Sequence, residues 1–172
     1  MKRSTFFGFF ATLLGICGLA LAAIALGTTR WRWNFADDVE YGLFERCSIG
    51  LSRNQCRTGL AEFAVPYIRA TQSFMIMGAF LALIGVIVSM VIGCGKGGSK
   101  GHLAAGLLYL ISGLFLMVAC GVYTGVNRPL LIASGNTYRY GYSFWLAWSS
   151  SIILLLAMPF GFLANSSKFN YV

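Results

Sequence analysis

The chain has very few charged residues. Only 10% of its 172 residues are Asp, Glu, Lys or Arg, against 58% hydrophobic residues. A soluble domain typically carries about a quarter charged residues, so this composition indicates a membrane protein. The formal net charge of +8 does not point to nucleic acid, because the basic residues are scattered through loops and termini and form no basic stripe. We therefore expect a lipid bilayer, and no nucleic acid, as partner.

Histidine and acidic residues are also scarce. The single histidine, His102, has no second metal ligand at a useful spacing. All five acidic residues fall between positions 37 and 62, so the apolar stretches contain no carboxylate, which argues against an ion-coupled transporter. The run from Asp37 to Glu40 could bind a cation or line an ion path, but a solvated acidic turn is favoured. We predict a protein that is not an enzyme, with no catalytic, cofactor-binding or metal-binding residues and no cofactor.

The chain contains several long apolar stretches. Four stretches could cross a hydrocarbon core ~30 Å thick at ~1.5 Å per residue, and we predict spanning helices at 6–27, 68–94, 103–126 and 143–165. In lipid only helices or closed barrels satisfy every backbone group, and these stretches lack the alternation of barrel strands. The sequence therefore predicts an all-α membrane protein, a left-handed bundle of four transmembrane helices, as a single domain over 1–172.

The first apolar stretch has a second interpretation. Lys2 and Arg3 precede it and small residues lie near Ala23, as in a secretory signal peptide. The stretch is longer than the apolar core of such a peptide, which has about 7–15 residues. An uncleaved first helix is the favoured interpretation.

The stretch after the first helix is the only long polar one. Trp31 and Trp33 alternate with polar residues, a period typical of a half-buried strand. Residues 39–47 are a second strand candidate, and the run 48–56 is predicted as the hairpin turn that a disulfide between Cys47 and Cys56 would close. A disulfide between these two cysteines would contribute ~2–4 kcal/mol. We predict a small antiparallel β-sheet, extracellular and stapled by this bridge.

Four aromatic residues of this loop are candidates for its core or for a contact surface. They are Trp31, Trp33, Phe35 and Phe44. Because a stapled sheet this small has little else to bury, we predict that most of them are core residues.

Charges and cysteines together predict the orientation. Four spans place both termini on one side, which carries only basic charges: Lys2, Arg3, Lys96, Lys100 and Lys168. The positive-inside rule makes that side cytoplasmic, and a disulfide on the opposite side would form in the oxidising compartment. We predict a multi-pass protein of the plasma membrane with both termini cytoplasmic. Its predicted connections are extracellular loops at 28–67 and 127–142, a cytoplasmic loop at 95–102 and a cytoplasmic tail at 166–172.

Small residues and a membrane-proximal cysteine suggest two further sites. Gly121 and Gly125 form a G-x-x-x-G pair in the third helix, a spacing that lets helices approach closely. Packing within the chain is favoured over a dimer face. Cys94, at the cytoplasmic end of the second helix, is a candidate for S-palmitoylation.

A recurring pattern runs through the first loop: Trp31 or Trp33, Gly42-Leu43-Phe44, Cys47 and Cys56. It resembles the signature of the claudin superfamily, a tryptophan, then G-L-W, then two cysteines, with Phe44 replacing the last tryptophan. The superfamily includes claudins, the peripheral myelin protein and epithelial membrane protein group, the lens fibre membrane intrinsic protein and stargazin-like channel subunits. The resemblance covers the whole chain and implies a four-span fold. One departure is Gln72, where members often carry arginine.

The resemblance implies two classes of function. The favoured hypothesis is a protein of cell–cell contact or membrane organisation that binds other membrane proteins, including copies of itself in the same or an adjacent membrane. The chain ends in Asn170, Tyr171 and Val172, and many claudins end in Tyr-Val, which makes a PDZ scaffold a candidate partner. The alternative is an auxiliary subunit that binds and modulates an ion channel or receptor, as in the stargazin-like branch.

Overall fold

Four long helices dominate the computed structural model, which describes residues 3–50, 53–58, 65–93, 99–133 and 138–169. The helices are α1 (Arg3–Gly27), α2 (Pro66–Val91), α3 (Ser99–Ala133) and α4 (Tyr142–Phe169). Each contains a window long and apolar enough to cross a membrane, with mean hydropathy between 1.9 and 2.6. The prediction of a four-helix membrane protein is confirmed. The candidate sites Cys94, Asn170, Tyr171 and Val172 lie outside the described residues.

Helix α3 extends beyond its predicted span at both ends. His102 lies in the first turns of this helix and not in a loop, and its side chain is buried. At the other end the helix continues through Pro129 to Ala133, because a proline so near the end removes only one backbone donor and the following residues are good helix formers. The connections predicted at 95–102 and 127–142 are therefore each partly helical.

The other helices depart less from prediction. Helix α1 begins at Arg3, a few residues before position 6. Helix α2 begins at Pro66, because a proline in the first turn needs no hydrogen-bond donor and has the right φ already. Helix α4 runs to Phe169, so the tail predicted at 166–172 starts as helix. The charges and polar residues that ended the apolar runs end the membrane span but not the helix.

The helices form a closed ring in which α1 packs on α4 and α2, and α3 packs on α2 and α4. Glycines allow the closest approaches. A Cβ added to Gly18 would lie 2.7 Å from Leu154 Cγ, and one added to Gly113 would lie 2.8 Å from Leu155 Cγ. Each leucine therefore fills the space that a side chain at its glycine would need, which is how small residues stabilise helix pairs in lipid.

Serine hydroxyls join neighbouring helices at the same close approaches. Ser150 Oγ in α4 donates to the carbonyl oxygen of Gly18 at 2.7 Å, and Ser112 Oγ in α3 donates to that of Gly78 at 2.6 Å. Both serines are completely buried. Hydrogen bonds of this kind are worth about 0.6 kcal/mol on average in membrane proteins, so they orient the helices more than they stabilise them.

The predicted packing role of Gly121 and Gly125 within the chain is wrong. Both glycines are exposed, and a Cβ added to either would meet nothing within 4 Å among the described residues. The reason is that these glycines lie on a different face of α3 from Gly113, the earlier glycine that packs against α4. Spacing alone identified a small-residue pair but not the direction in which it points.

A five-stranded antiparallel sheet lies at the end of the bundle where α1 ends and α2 begins. Its strands are β1 (Arg32–Asn34), β2 (Val39–Tyr41), β3 (Arg46–Gly50), β4 (Arg53–Arg57) and β5 (Tyr138–Tyr140). Their spatial order is β4-β3-β2-β1-β5. The connection between α3 and α4 thus supplies the edge strand β5, which pairs with β1 and ties the second loop to the first.

The sheet differs from prediction in its strand boundaries. The run 39–47, predicted as one strand, is β2, a turn at Gly42–Glu45, and the start of β3. The run 48–56, predicted as a turn, is mostly paired strand. Its glycine, serine and asparagine residues suggested a turn, but pairing between β3 and β4 overrides that weak propensity.

Candidate functional site

The candidate site is the junction where the sheet meets the ends of the helices. Trp31 lies at its centre and is completely buried. Its indole Nε1 donates to the carbonyl oxygen of Ala25 at 2.7 Å, near the end of α1, where that oxygen lacks a helical partner. Its ring meets Tyr123 of α3 edge-on at 5.1 Å and Phe144 of α4 at 6.4 Å. One side chain therefore joins the first loop to three helices.

Gly42 and Leu43 form the turn that follows β2. The Gly42 N–H donates to the carbonyl oxygen of Glu45 at 2.8 Å, and a Cβ at Gly42 would lie 2.9 Å from the Thr29 Cα. Only glycine allows the turn to approach the end of α1 this closely. Leu43 is completely buried, and its carbonyl oxygen accepts a 2.5 Å hydrogen bond from Gln72 Nε2 of α2. The turn is thus fixed to two helices.

Cys47 and Cys56 form the predicted disulfide. The two residues lie directly opposite each other in β3 and β4, with their Cα atoms 4.1 Å apart. Cys47 is buried, whereas Cys56 is exposed. The bridge therefore links the inner part of the sheet to its outer strand.

Two of the four loop aromatics are not core residues. Phe35 and Phe44 are each 42% exposed, while Trp33 is half-buried and its ring lies 4.1 Å from that of Phe35. The prediction that most of these residues are core is wrong for both phenylalanines. Burial of Trp31 and Leu43 against the helices already provides the apolar core, and the two phenylalanine rings stay partly exposed.

The acidic side chains between positions 37 and 40 form hydrogen bonds and an ion pair with neighbouring residues. Glu40 is buried and forms an ion pair with Arg30, and its second carboxylate oxygen accepts from Thr29 Oγ1 at 3.1 Å. Asp37 accepts from Asn34 Nδ2 at 2.8 Å. Asp38 has a φ of 52°, a left-handed conformation suited to a tight turn. These contacts give the run a structural role in the turn between β1 and β2.

The pattern of residues at this junction is shared with known proteins. The family model described as "PMP-22/EMP/MP20/Claudin family" matches residues 3–160. The chain belongs to this family. It is a multi-pass membrane protein whose four spanning helices and disulfide-bonded loop match the family resemblance inferred from the first-loop residues.

Three relatives each match two thirds or more of this chain. The human lens fiber membrane intrinsic protein is 26% identical over 145 residues, covering 81% of this chain and 80% of its own length. Canis lupus familiaris claudin-4 is 30% identical over 129 residues, covering 67% of this chain and 61% of its own length. Human claudin domain-containing protein 2 is 27% identical over 155 residues, covering 86% and 80% respectively.

Sequence reasoning missed one residue of the junction in this family member. Arg32 Nη1 donates to Asn127 Oδ1 of α3 at 2.9 Å, and its guanidinium lies over the rings of Tyr41 and Tyr138 at 4.6 and 4.8 Å. Asn127 is completely buried. The only signal in the sequence was that Arg32 stands between two tryptophans in an alternating strand.

Proposed function

We propose that this family member is a non-enzymatic protein of cell–cell contact or membrane organisation, and that the sheet is its contact surface. The observation that carries the proposal is the combination of a sheet braced on all four helices with two exposed phenylalanines, Phe35 and Phe44. Aromatic residues on a rigid support lose little conformational freedom on binding, which suits them as interface anchors. Family membership and the similarity to claudin-4 support a role in cell–cell contact.

The proposed setting is the plasma membrane, with both termini cytoplasmic and the sheet outside. The disulfide supports this orientation, because such bridges persist in oxidising compartments. With an outer sheet, partners in an adjacent membrane and partners beside the chain in its own membrane are both within reach. A second copy of the chain is the simplest partner of either kind.

Replacing the two exposed phenylalanines tests the contact surface. We expect Phe35→Ser with Phe44→Ser to remove enrichment of the tagged protein at boundaries between expressing cells, because truncating an interface anchor typically costs about 2 kcal/mol or more. The readout is the ratio of boundary to free-membrane fluorescence. The matched control is Ile132→Ser, since Ile132 is 73% exposed at the same end of the molecule but lies in α3. Equal enrichment of both variants at cell boundaries would contradict the proposal that the sheet is the contact surface.

The C-terminal tail is proposed to bind a PDZ scaffold. A PDZ groove takes an extended peptide as an added strand and reads its final carboxylate and alternate side chains, here Val172 and Asn170. Deleting Val172 is therefore expected to abolish capture of PDZ domains by a tail peptide. Tyr171→Ala keeps the carboxylate and both inward side chains, so it should retain most of the capture. Loss in both, or in neither, contradicts strand-type binding.

A second candidate is the auxiliary-subunit function, and the outward-facing Gly121 and Gly125 favour it. Both glycines lie in the half of α3 next to the sheet, are exposed, and have room around them, because a Cβ added to either would meet nothing within 4 Å among the described residues. A smooth groove of this kind lets a helix of another membrane protein approach closely. If this function holds, a channel or receptor should co-purify in fixed ratio and Gly121→Leu should release it. Retention of the same partner in that variant would exclude this face.

A further inference from the structure

Four side chains of the sheet form a small patch around the outer end of β1. Trp33 lies directly opposite Arg139 of the edge strand β5, so these two side chains share one face of the sheet. The centre of the Phe35 ring lies 4.1 Å from that of Trp33 and 5.2 Å from the guanidinium carbon of Arg139. Asp38, which leads into β2, accepts a 3.4 Å hydrogen bond from the Trp33 indole. We call Trp33, Phe35, Asp38 and Arg139 the β1 patch.

The two charges of the β1 patch are accessible. Asp38 and Arg139 are both exposed, as is the Phe35 ring between them. Neither charge forms an ion pair with a residue that the structure describes. The nearby Glu40 is buried and paired with Arg30, so it does not neutralise Arg139. The β1 patch therefore presents one anion and one cation on either side of an apolar ring.

The strand order determines how these charges are arranged. Because β2 and β5 flank β1 on opposite sides, the acid, the aromatic ring and the cation form a row across the strands. Two copies packed face to face about a two-fold axis along the strands would place the β2 side of each copy against the β5 side of the other. Asp38 of each copy would then face Arg139 of the second copy, and the two Phe35 rings would meet near the axis. Two-fold symmetry forms each of these contacts twice.

The direction of the strands relates this axis to the membrane. β1 begins shortly after α1 ends, and β5 ends shortly before α4 begins. The paired residues Arg32 and Tyr140 therefore lie at the helix side of the sheet, and Asn34 and Tyr138 lie at its far side. Since the strands run outward from the helix ends, a two-fold axis along them leaves the helix bundles of both copies parallel, as in a single membrane.

Face-to-face pairing between opposing membranes would have the opposite charge pattern. It requires a two-fold axis across the strands, which would place Asp38 against Asp38 and Arg139 against Arg139. Like charges facing each other disfavour an interface. The order of charges in the β1 patch thus favours a pair of copies within one membrane.

We propose that the β1 patch pairs two copies of this chain side by side in the same membrane, through reciprocal Asp38–Arg139 ion pairs around the two Phe35 rings. The proposal rests on the proposed role of the sheet as a contact surface, and it specifies one partner and one geometry for that surface. Exposed ion pairs are individually weak. However, the membrane already holds both copies upright in one plane, which lowers the orientational cost of association.

Resonance energy transfer between donor-tagged and acceptor-tagged full-length chains in shared lipid vesicles tests the proposal. Arg139→Asp makes both charged positions acidic, and Asp38→Arg makes both basic, so each variant meets copies of itself with like charges. We expect each variant alone to pair about tenfold more weakly than the unsubstituted chain, because the symmetry reverses two ion pairs at once. When one variant carries the donor and the other the acceptor, opposite charges face each other again, and energy transfer should return.

The matched control is Arg57→Asp. Arg57 is exposed in β4, at the other edge of the sheet from β5, and its reversal should leave pairing unchanged. Equal weakening by Arg57→Asp and Arg139→Asp would indicate an effect of net charge and would overturn the proposal, as would a mixture of two folded variants that does not restore energy transfer. If Asp38→Arg does not fold, Asp38→Asn replaces it, because asparagine tolerates the left-handed φ of 52° at this position. Unchanged pairing in the asparagine variant would then contradict the ion pair.

A second arrangement of the vesicles separates this pairing from contact between membranes. Donor and acceptor chains are placed in separate vesicles, so that energy transfer reports contact between opposing membranes. Transfer only between separate vesicles would overturn the side-by-side pair and leave the contact function standing. Transfer only within shared vesicles, with restoration in the mixture, supports the pair even if enrichment at cell boundaries is absent.

Discussion

Replacing Trp31 by alanine is expected to destabilise the fold by about 3–5 kcal/mol, the usual cost of removing a large buried aromatic ring. Trp31 is completely buried between the sheet and the helices, and its loss also leaves the Ala25 carbonyl without its indole donor. Because the ring contacts Tyr123 and Phe144, the effect should spread to α3 and α4. Thermal unfolding of the detergent-purified variant gives the measurement.

Trp33→Ala is the matched control for that experiment. Trp33 lies two residues further on, in β1, but is half-buried. Its ring lies 4.1 Å from that of Phe35, and its indole donates a long 3.4 Å hydrogen bond to Asp38. Its loss should cost about 1 kcal/mol. Trp31→Phe, which keeps a ring but removes the indole donor, should fall between the two. Equal destabilisation by Trp31→Ala and Trp33→Ala would contradict the central position given to Trp31.

Gly113→Leu and Gly121→Leu should have opposite consequences although both lie in α3. A Cβ at Gly113 would lie 2.8 Å from Leu155 Cγ and 3.2 Å from the Ser151 carbonyl oxygen, so a leucine there must push α4 away. Overpacking of this kind costs about 1–3 kcal/mol or more. At Gly121 nothing lies within 4 Å among the described residues, and leucine's better helix propensity favours the fold by up to about 1 kcal/mol.

Unfolding measured in parallel on the two leucine variants gives the result. A large loss at Gly113 with little change at Gly121 supports the described ring of helices. A large loss at Gly121 in detergent, where no partner protein is present, would show that this face of α3 packs within the chain after all. The Gly121 variant then serves as a folded reagent for testing partner binding.

The fold was predictable where a local pattern carries the information. Uncharged stretches identified all four helices, because crossing lipid requires about 20 apolar residues in one run. The third helix was longer than predicted because Arg128 and Pro129 interrupt the apolar run without ending the helix. Strand β5, with only three residues, has no pattern of its own and exists because β1 pairs with it across the chain.

The junction was predictable only in part, because much of it depends on burial and on contacts between residues far apart in the sequence. Cys47 and Cys56 stood out because their polar setting suggested an oxidised pair, and the disulfide is present. The role of Arg32 depends on Asn127, 95 positions away, and on burial that no local pattern reports. Burial likewise separates Trp31 from Trp33, which alternation alone left equivalent.

The most direct test of the contact function mixes two populations of cells that carry the protein with different fluorescent tags, together with unlabelled cells that lack it. The account predicts enrichment at boundaries between two expressing cells, no enrichment where an expressing cell meets a non-expressing one, and loss of the enrichment when Phe35 and Phe44 are replaced by serine. Uniform membrane fluorescence at every boundary, with correctly folded and surface-exposed protein, would contradict contact between copies of this chain through its sheet.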